Sequence, residues 1–140
     1  MRIAGIIAAL SMLVAASCSQ RTGNMRQADN MRTIAITDSV LANGASDTLR
    51  LGNIYSGEVA VQKFAFINKS SAPIVLIRHE TTCNCTTFDY GHRPILPDSQ
   101  AVVTCRFDSS GQYGWQFKLV KFRLSGAETA FRLFIEANVE

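Results

Sequence analysis

Apolar and polar residues alternate in short runs over most of the chain, and clusters of Gly, Pro, Asn, Asp and Ser separate the runs. The clearest run is residues 101–108. There Val103, Cys105 and Phe107 fall on one side and Val102, Thr104 and Arg106 on the other, the period-two pattern of a half-buried strand. Phe131, Leu133 and Ile135 make the same kind of inward set near the C-terminus. Residues 47–51 alternate, residues 58–68 form a long β-rich run, and residues 74–77 make a branched apolar strand core. Ile34 and Ile36 predict a short first strand over 33–37. Turns are predicted over 38–47, at Gly52 and Asn53, at Ser56 and Gly57, over 68–73, around Pro94 and Pro97, over 109–114, and at Ser125 and Gly126. Over 117–124 the apolar phase slips from Phe117 and Leu119 to Val120, Phe122 and Leu124, which predicts a β-bulge. No segment has a convincing helical period. The predicted fold class is therefore all-β: an immunoglobulin-like antiparallel β-sandwich of about seven strands.

Composition agrees with a packed core. The chain has 140 residues, 47% hydrophobic and 18% charged, which fits one globular domain and excludes a disordered or collagen-like chain. It contains eight Phe and one Trp. Such rings bury about 150–250 Å² each, and at about 25 cal/mol per Å² that is enough for a core without obligatory disulfides. Trp115 follows all four cysteines, so the antibody-type Cys–Trp–Cys spacing is missing.

The N-terminus carries an address. Residues 1–17 hold one cation, Arg2, followed by an uninterrupted apolar and small-residue run over 3–16, the pattern of a secretory signal. The run is shorter than the about 20 apolar residues that a spanning helix needs. Ala15, Ala16 and Ser17 before Cys18 resemble the bacterial lipobox, in which small residues precede a cysteine that becomes the lipidated first residue, although Ala15 stands where Leu is usual. The competing reading is ordinary signal-peptidase cleavage, with Cys18 a stray thiol. Lipidation of Cys18 is the expectation, and acyl chains at about 0.8 kcal/mol per buried methylene would tether the protein durably. Residues 18–32 then form a polar, flexible spacer, residues 33–46 an N-terminal strand and turn, and residues 47–140 the folded domain. The domain is expected in an oxidising envelope compartment. Ser19 and Gln20 lack the acidic retention signal of enteric lipoproteins, and that resemblance favours the outer membrane, on its periplasmic or surface face. Net charge is +3, and without Arg2 there are 13 cations against 11 carboxylates. Such a balance points to no nucleic acid or other polyanionic partner.

A family resemblance rests on ordered motifs. Leu51, Gly52, Asn53 and Ile54 come first, then Gly57 and Glu58, then Phe64, Phe66 and Asn68, then Pro73, Ile74 and Ile77. Thr82, Cys83, Asn84, Cys85 and Thr86 follow, and later Pro97 and Gly111. In order and spacing these resemble the bacterial family called domain of unknown function 1573, over roughly residues 47–140. The resemblance implies a seven-stranded immunoglobulin-type sandwich in envelope proteins that are often lipoproteins, and it brings no reaction. Thr82 and Asn84 stand where the family has serine and glycine, and Cys105 is an addition. Asn tolerates the left-handed conformation better than most residues, so a tight turn at Asn84 is compatible with the pattern.

Three readings of the cysteines remain open. One of Cys83 and Cys85 pairs with Cys105, but in a simple hairpin Cys105 lies about five residues, roughly 16 Å, along the strand from Cys83, beyond the ~7 Å limit for a bridge. Alternatively, Cys83 and Cys85 bond each other or stay as thiols in a turn, with Cys105 a small buried hydrophobe. The third reading joins Cys83 and Cys85 with His79 or His92 to hold a soft ion such as Cu(I), or uses the pair in thiol exchange. No catalytic motif is present: G-x-S-x-G, H-E-x-x-H and C-x-x-C are all missing. No enzyme activity and no cofactor are expected. Lys118, Lys121 and Arg123 make the densest basic stretch, read as a solvated strand face. The expected function is a lipid-anchored, non-catalytic module that binds another envelope protein. The surface expected to do so comprises Cys83, Asn84, Cys85, Thr86, Phe88 and Tyr90.

Overall fold

The computed structural model of the protein describes residues 31–140. The expected signal over 1–17, the lipidation site Cys18 and the spacer up to residue 30 lie outside the described residues. The strands are β1 (Arg32–Ile36), β2 (Ser46–Ile54), β3 (Val59–Asn68), β4 (Leu76–Thr81), β5 (Thr86–Asp89), β6 (Gln100–Asp108), β7 (Gly114–Leu124) and β8 (Phe131–Val139). Among the described residues a single short helix, α1 (Asp38–Asn43), lies between β1 and β2. The strands form two four-stranded sheets ordered β1-β3-β6-β5 and β2-β8-β7-β4, here called sheets A and B. The sandwich is thus as the alternation predicts, with one strand more.

Several details differ from the sequence reading, each for a local reason. The edge strands β1 and β2 run parallel to β3 and β8, while every other pair is antiparallel. The predicted turn over 38–47 contains α1, which carries the chain from the edge of sheet A to the edge of sheet B. Thr37 caps it, its hydroxyl accepting from the Val40 N–H at 3.2 Å, with Asp38 in the first turn. Six residues are too few to show a period. Gly52 and Asn53 do not turn the chain; they lie inside β2, where a register shift between Arg50 and Gly52 leaves Gly52 at φ +77°. The bulge is in β4, between Leu76 and Arg78, and not in β7, whose register with β8 is unbroken. The apolar slip in β7 has another cause: Val120, Phe122 and Leu124 face the core, whereas Trp115 and Phe117 face outward. Ile74 makes only an isolated bridge to Ile95, and β4 begins at Leu76.

The core lies between the sheets. Phe64 and Phe66 from β3 meet Phe122 from β7 and Phe131 from β8 edge-to-face, with ring centroids 5.4 Å apart for Phe66 and each of its three neighbours. Asn68 is fully buried and fully bonded. Its amide donates to the carbonyls of Ala72 and Ile95 at 2.8 Å each, and its oxygen accepts from the Ser70 N–H at 2.8 Å and hydroxyl at 2.6 Å. One side chain therefore folds the β3–β4 turn and ties it to the loop before β6, which explains an Asn after the alternating phenylalanines. Ser109, also fully buried, does the same at the other end, its hydroxyl lying 2.8 Å from the carbonyls of both Tyr55 and Glu58 and sharing its one proton between them.

Candidate functional site

The cysteine turn joins β4 to β5, the adjacent edges of the two sheets. Cys83 and Cys85 form a disulfide with Cα atoms 5.1 Å apart, and among the described residues Cys105 is a free, buried thiol. In the β5–β6 pair Cys105 stands opposite Phe88, five residues from Cys83, so the hairpin geometry that argues against a Cys105 bridge is present. Burial pushes the Cys105 thiol up to about 12, which keeps it protonated and unreactive.

The turn is closed in on itself. The Thr81 hydroxyl bonds the Cys83 carbonyl at 2.9 Å and the Thr86 hydroxyl at 2.7 Å. Cys83 N–H donates back to Thr81 Oγ1 at 3.1 Å, and Asp108 N–H donates to the Cys85 carbonyl at 2.8 Å. Thr86 is buried, so it shapes the turn and presents no contact surface. Asn84 alone of the C-x-C-T residues is exposed.

Phe88 and Tyr90 are also turned inward. Their rings pack on Phe122 with centroids 5.3 and 5.9 Å away. His79 of β4 meets Phe88 at 5.1 Å and Tyr90 at 5.6 Å, and its Nδ1 bonds the Tyr90 hydroxyl at 2.9 Å. This aromatic group spans the gap between the edges β4 and β5. Burial lowers the His79 pKa and raises that of Tyr90, favouring the neutral form of each. His92 bonds the Leu76 carbonyl through Nδ1 at 2.9 Å. The alternative metal set of Cys83, Cys85, His79 and His92 is not assembled: the cysteines are joined to each other and the imidazoles are directed elsewhere. Among the described residues no group of three His, Cys, Asp or Glu is placed to hold an ion.

The unpartnered surface is elsewhere. On the outer face of sheet B, Trp115 is 65% and Phe117 56% exposed. Phe117 stacks on Phe134 of β8 at 4.9 Å with an interplanar angle of 12°, and Leu119 stands opposite Phe134. Tyr113, 74% exposed, precedes the strand. This face is hidden in the sequence because apolar residues on both sides of β7 resemble a slip of phase. The available signal was that Trp115, Phe117 and Leu119 themselves keep period two.

Comparison with known proteins supplies a family and a fold. The sequence profile of the family described as "Protein of unknown function (DUF1573)" matches residues 43–139. The chain belongs to the DUF1573 family. No match was found among curated proteins. A protein of unknown function from Porphyromonas gingivalis W83 is similar in structure, with a TM-score of 0.58 and 16% identity, over 66% of this chain and 44% of that one. The secreted serine protease VesC from Vibrio cholerae is similar with a TM-score of 0.52 and 11% identity, over 64% of this chain and 21% of that one. This chain therefore corresponds to less than half the length of either, and the likeness is one of fold. The DUF1573 match begins at the end of α1, so β1 and most of α1 precede it. It includes Asn68 and the Cys83–Cys85 turn, whose roles in this DUF1573 domain are to hold turns together.

Proposed function

We propose that this DUF1573 protein is a lipid-anchored cell-envelope protein, tethered through Cys18, whose sandwich is a non-catalytic module for binding another envelope protein. The observation that carries the reading is the outward cluster of Trp115, Phe117 and Phe134 on sheet B. Large aromatic side chains exposed together are costly in water and are the residues enriched at protein contact sites. The outer face of sheet A offers a contrast, because its exposed Val59, Val61 and Val102 are interspersed with Lys63, Thr104 and Arg106. The binding face is thus assigned to β7 and β8 and not to the cysteine turn.

The test compares the full chain with the double variant Trp115→Ser, Phe117→Ser in affinity purification from envelopes after chemical cross-linking. The reading expects a discrete partner with the unmodified chain, lost from the variant while its circular dichroism and melting temperature are retained. The same partner recovered equally with a folded variant would overturn it. Labelling with radioactive palmitate, present in the unmodified chain and absent from Cys18→Ala, tests the anchor separately.

A further inference from the structure

On the same outer face, toward the α1 end, sheet B carries a cleft of about 400 Å³. Its floor holds Lys121 and Arg123 of β7 and Arg132 of β8. Its walls are the α1–β2 turn at Asn43, Gly44 and Ala45 and the β7–β8 loop at Glu128, Thr129 and Ala130. The walls are fixed to each other by backbone bonds, Glu128 N–H to the Leu41 carbonyl at 3.1 Å and Arg132 N–H to the Ala45 carbonyl at 3.0 Å. The approach is so close at Gly44 that a Cβ there would lie 2.4 Å from Thr129 Oγ1. The two walls are therefore held together by backbone bonds.

The charges in it are arranged at a cost. Lys121 stands between Arg132 of β8 and Glu80 of β4, and Arg123 stands directly opposite Arg78 of β4. Like charges facing across a sheet destabilise it. The ion pairs among the described residues join Arg32 to Asp47, Arg50 to Glu136, Lys69 to Asp98 and Arg78 to Glu80. None relieves Lys121, Arg123 or Arg132. Glu80 also lines the cleft, but Arg78 already holds its carboxylate through two nitrogens at 3.1 and 3.2 Å. Lys118, grouped with these cations in the sequence, points away and bonds Gln112 at 3.2 Å.

We infer that this cleft binds the phosphate of a phosphorylated sugar. Two guanidinium groups and an ammonium line the cleft from neighbouring strands, and such groups are the donors that recognise a phosphate dianion, arginine in bidentate fashion. The volume exceeds that of a bare phosphate and leaves room for a sugar ring. Glu128, Thr129 and Asn43 at the rim offer partners for hydroxyl groups. The site is separate from the aromatic contact surface and stands whether or not that surface binds a protein. A free sugar phosphate and the phosphorylated sugar headgroup of a glycolipid present the same chemistry.

The test is titration of the folded protein at low ionic strength with glucose 1-phosphate and with glucose, followed by NMR shifts of the Gly44 and Ala45 amides and the arginine Nε–H groups. A second arm measures co-sedimentation with phosphatidylcholine vesicles with and without lipid A. Saturable shifts with glucose 1-phosphate and none with glucose support the site, as does binding that requires lipid A; the arm that responds identifies the source. The effect should weaken at least tenfold in Lys121→Gln, Arg132→Gln. Arg132→Gln alone removes the like charge facing Lys121 and leaves Lys121 opposite Glu80, so it should melt no lower than the unmodified protein. Failure of both arms, or binding unchanged in the double variant, overturns the proposal. A lower melting temperature in Arg132→Gln would also overturn it, by showing that this cation is already paired within the fold.

Discussion

The β4–β5 end of the sandwich and the outer face of sheet B are built from similar residue types and put them to opposite use. At the β4–β5 end, His79, Phe88 and Tyr90 converge on Phe122. Below them the disulfide turn is tied by Thr81 and Thr86, so almost every polar and aromatic group there has an internal partner. On sheet B, Phe117 and Phe134 stack on each other with Trp115 exposed on the same face, and Lys121, Arg123 and Arg132 form no ion pair although Glu80 stands opposite Lys121. The difference teaches that a cluster of chemically capable side chains is evidence of a site only when its bonding capacity is unspent.

The comparison can be broken most sharply by stability measurements. Phe122 is fully buried at the centre of the aromatic closure, and Phe122→Ala should cost about 3–5 kcal/mol in urea unfolding. Trp115→Ser and Phe117→Ser should each stay within about 0.5 kcal/mol of the unmodified protein. Comparable losses at both places would mean that the exposed aromatics are structural. Thr86→Val keeps the shape of the side chain while removing its bonds to Thr81 and Cys83. It should cost about 1–2 kcal/mol by the same measurement, and a neutral result would show that the turn is not held from within.

The smallest effect is a pH dependence. The His79 pKa is lowered in the fold from its ordinary value of 6.5. Above that value the folded and unfolded chains are both neutral at His79, and its contribution does not vary. As pH falls below it, the unfolded chain takes up a proton that the half-buried imidazole resists, so stability decreases toward the lower, folded pKa. Melting temperatures measured across this interval should decline in the unmodified protein and decline less in His79→Phe. Equal slopes would mean that His79 is not shielded by Phe88 and Tyr90.

Much of the architecture was legible from particular residues. The alternation of Val103, Cys105 and Phe107 and of Phe131, Leu133 and Ile135 marks inward faces, all buried in the structure. The motif residues around Asn68 and Cys83 led to the family. What was not legible depends on contacts distant in sequence. Nothing local distinguishes a parallel edge strand from an antiparallel one, so β1 and β2 were misplaced in direction. Phe88 and Tyr90 looked exposed because the partners that cover them, His79 and Phe122, come from the other sheet. Lys121 and Arg132 meet only through the pairing of β7 with β8.

The most direct test of which region makes contact is site-specific photo-cross-linking in cells producing the full chain. A benzoylphenylalanine replaces Phe117 in one sample and the exposed Asn84 at the tip of the cysteine turn in another. The account predicts an adduct of one defined mass at position 117 and none at position 84. An adduct at 84 with none at 117 would contradict it.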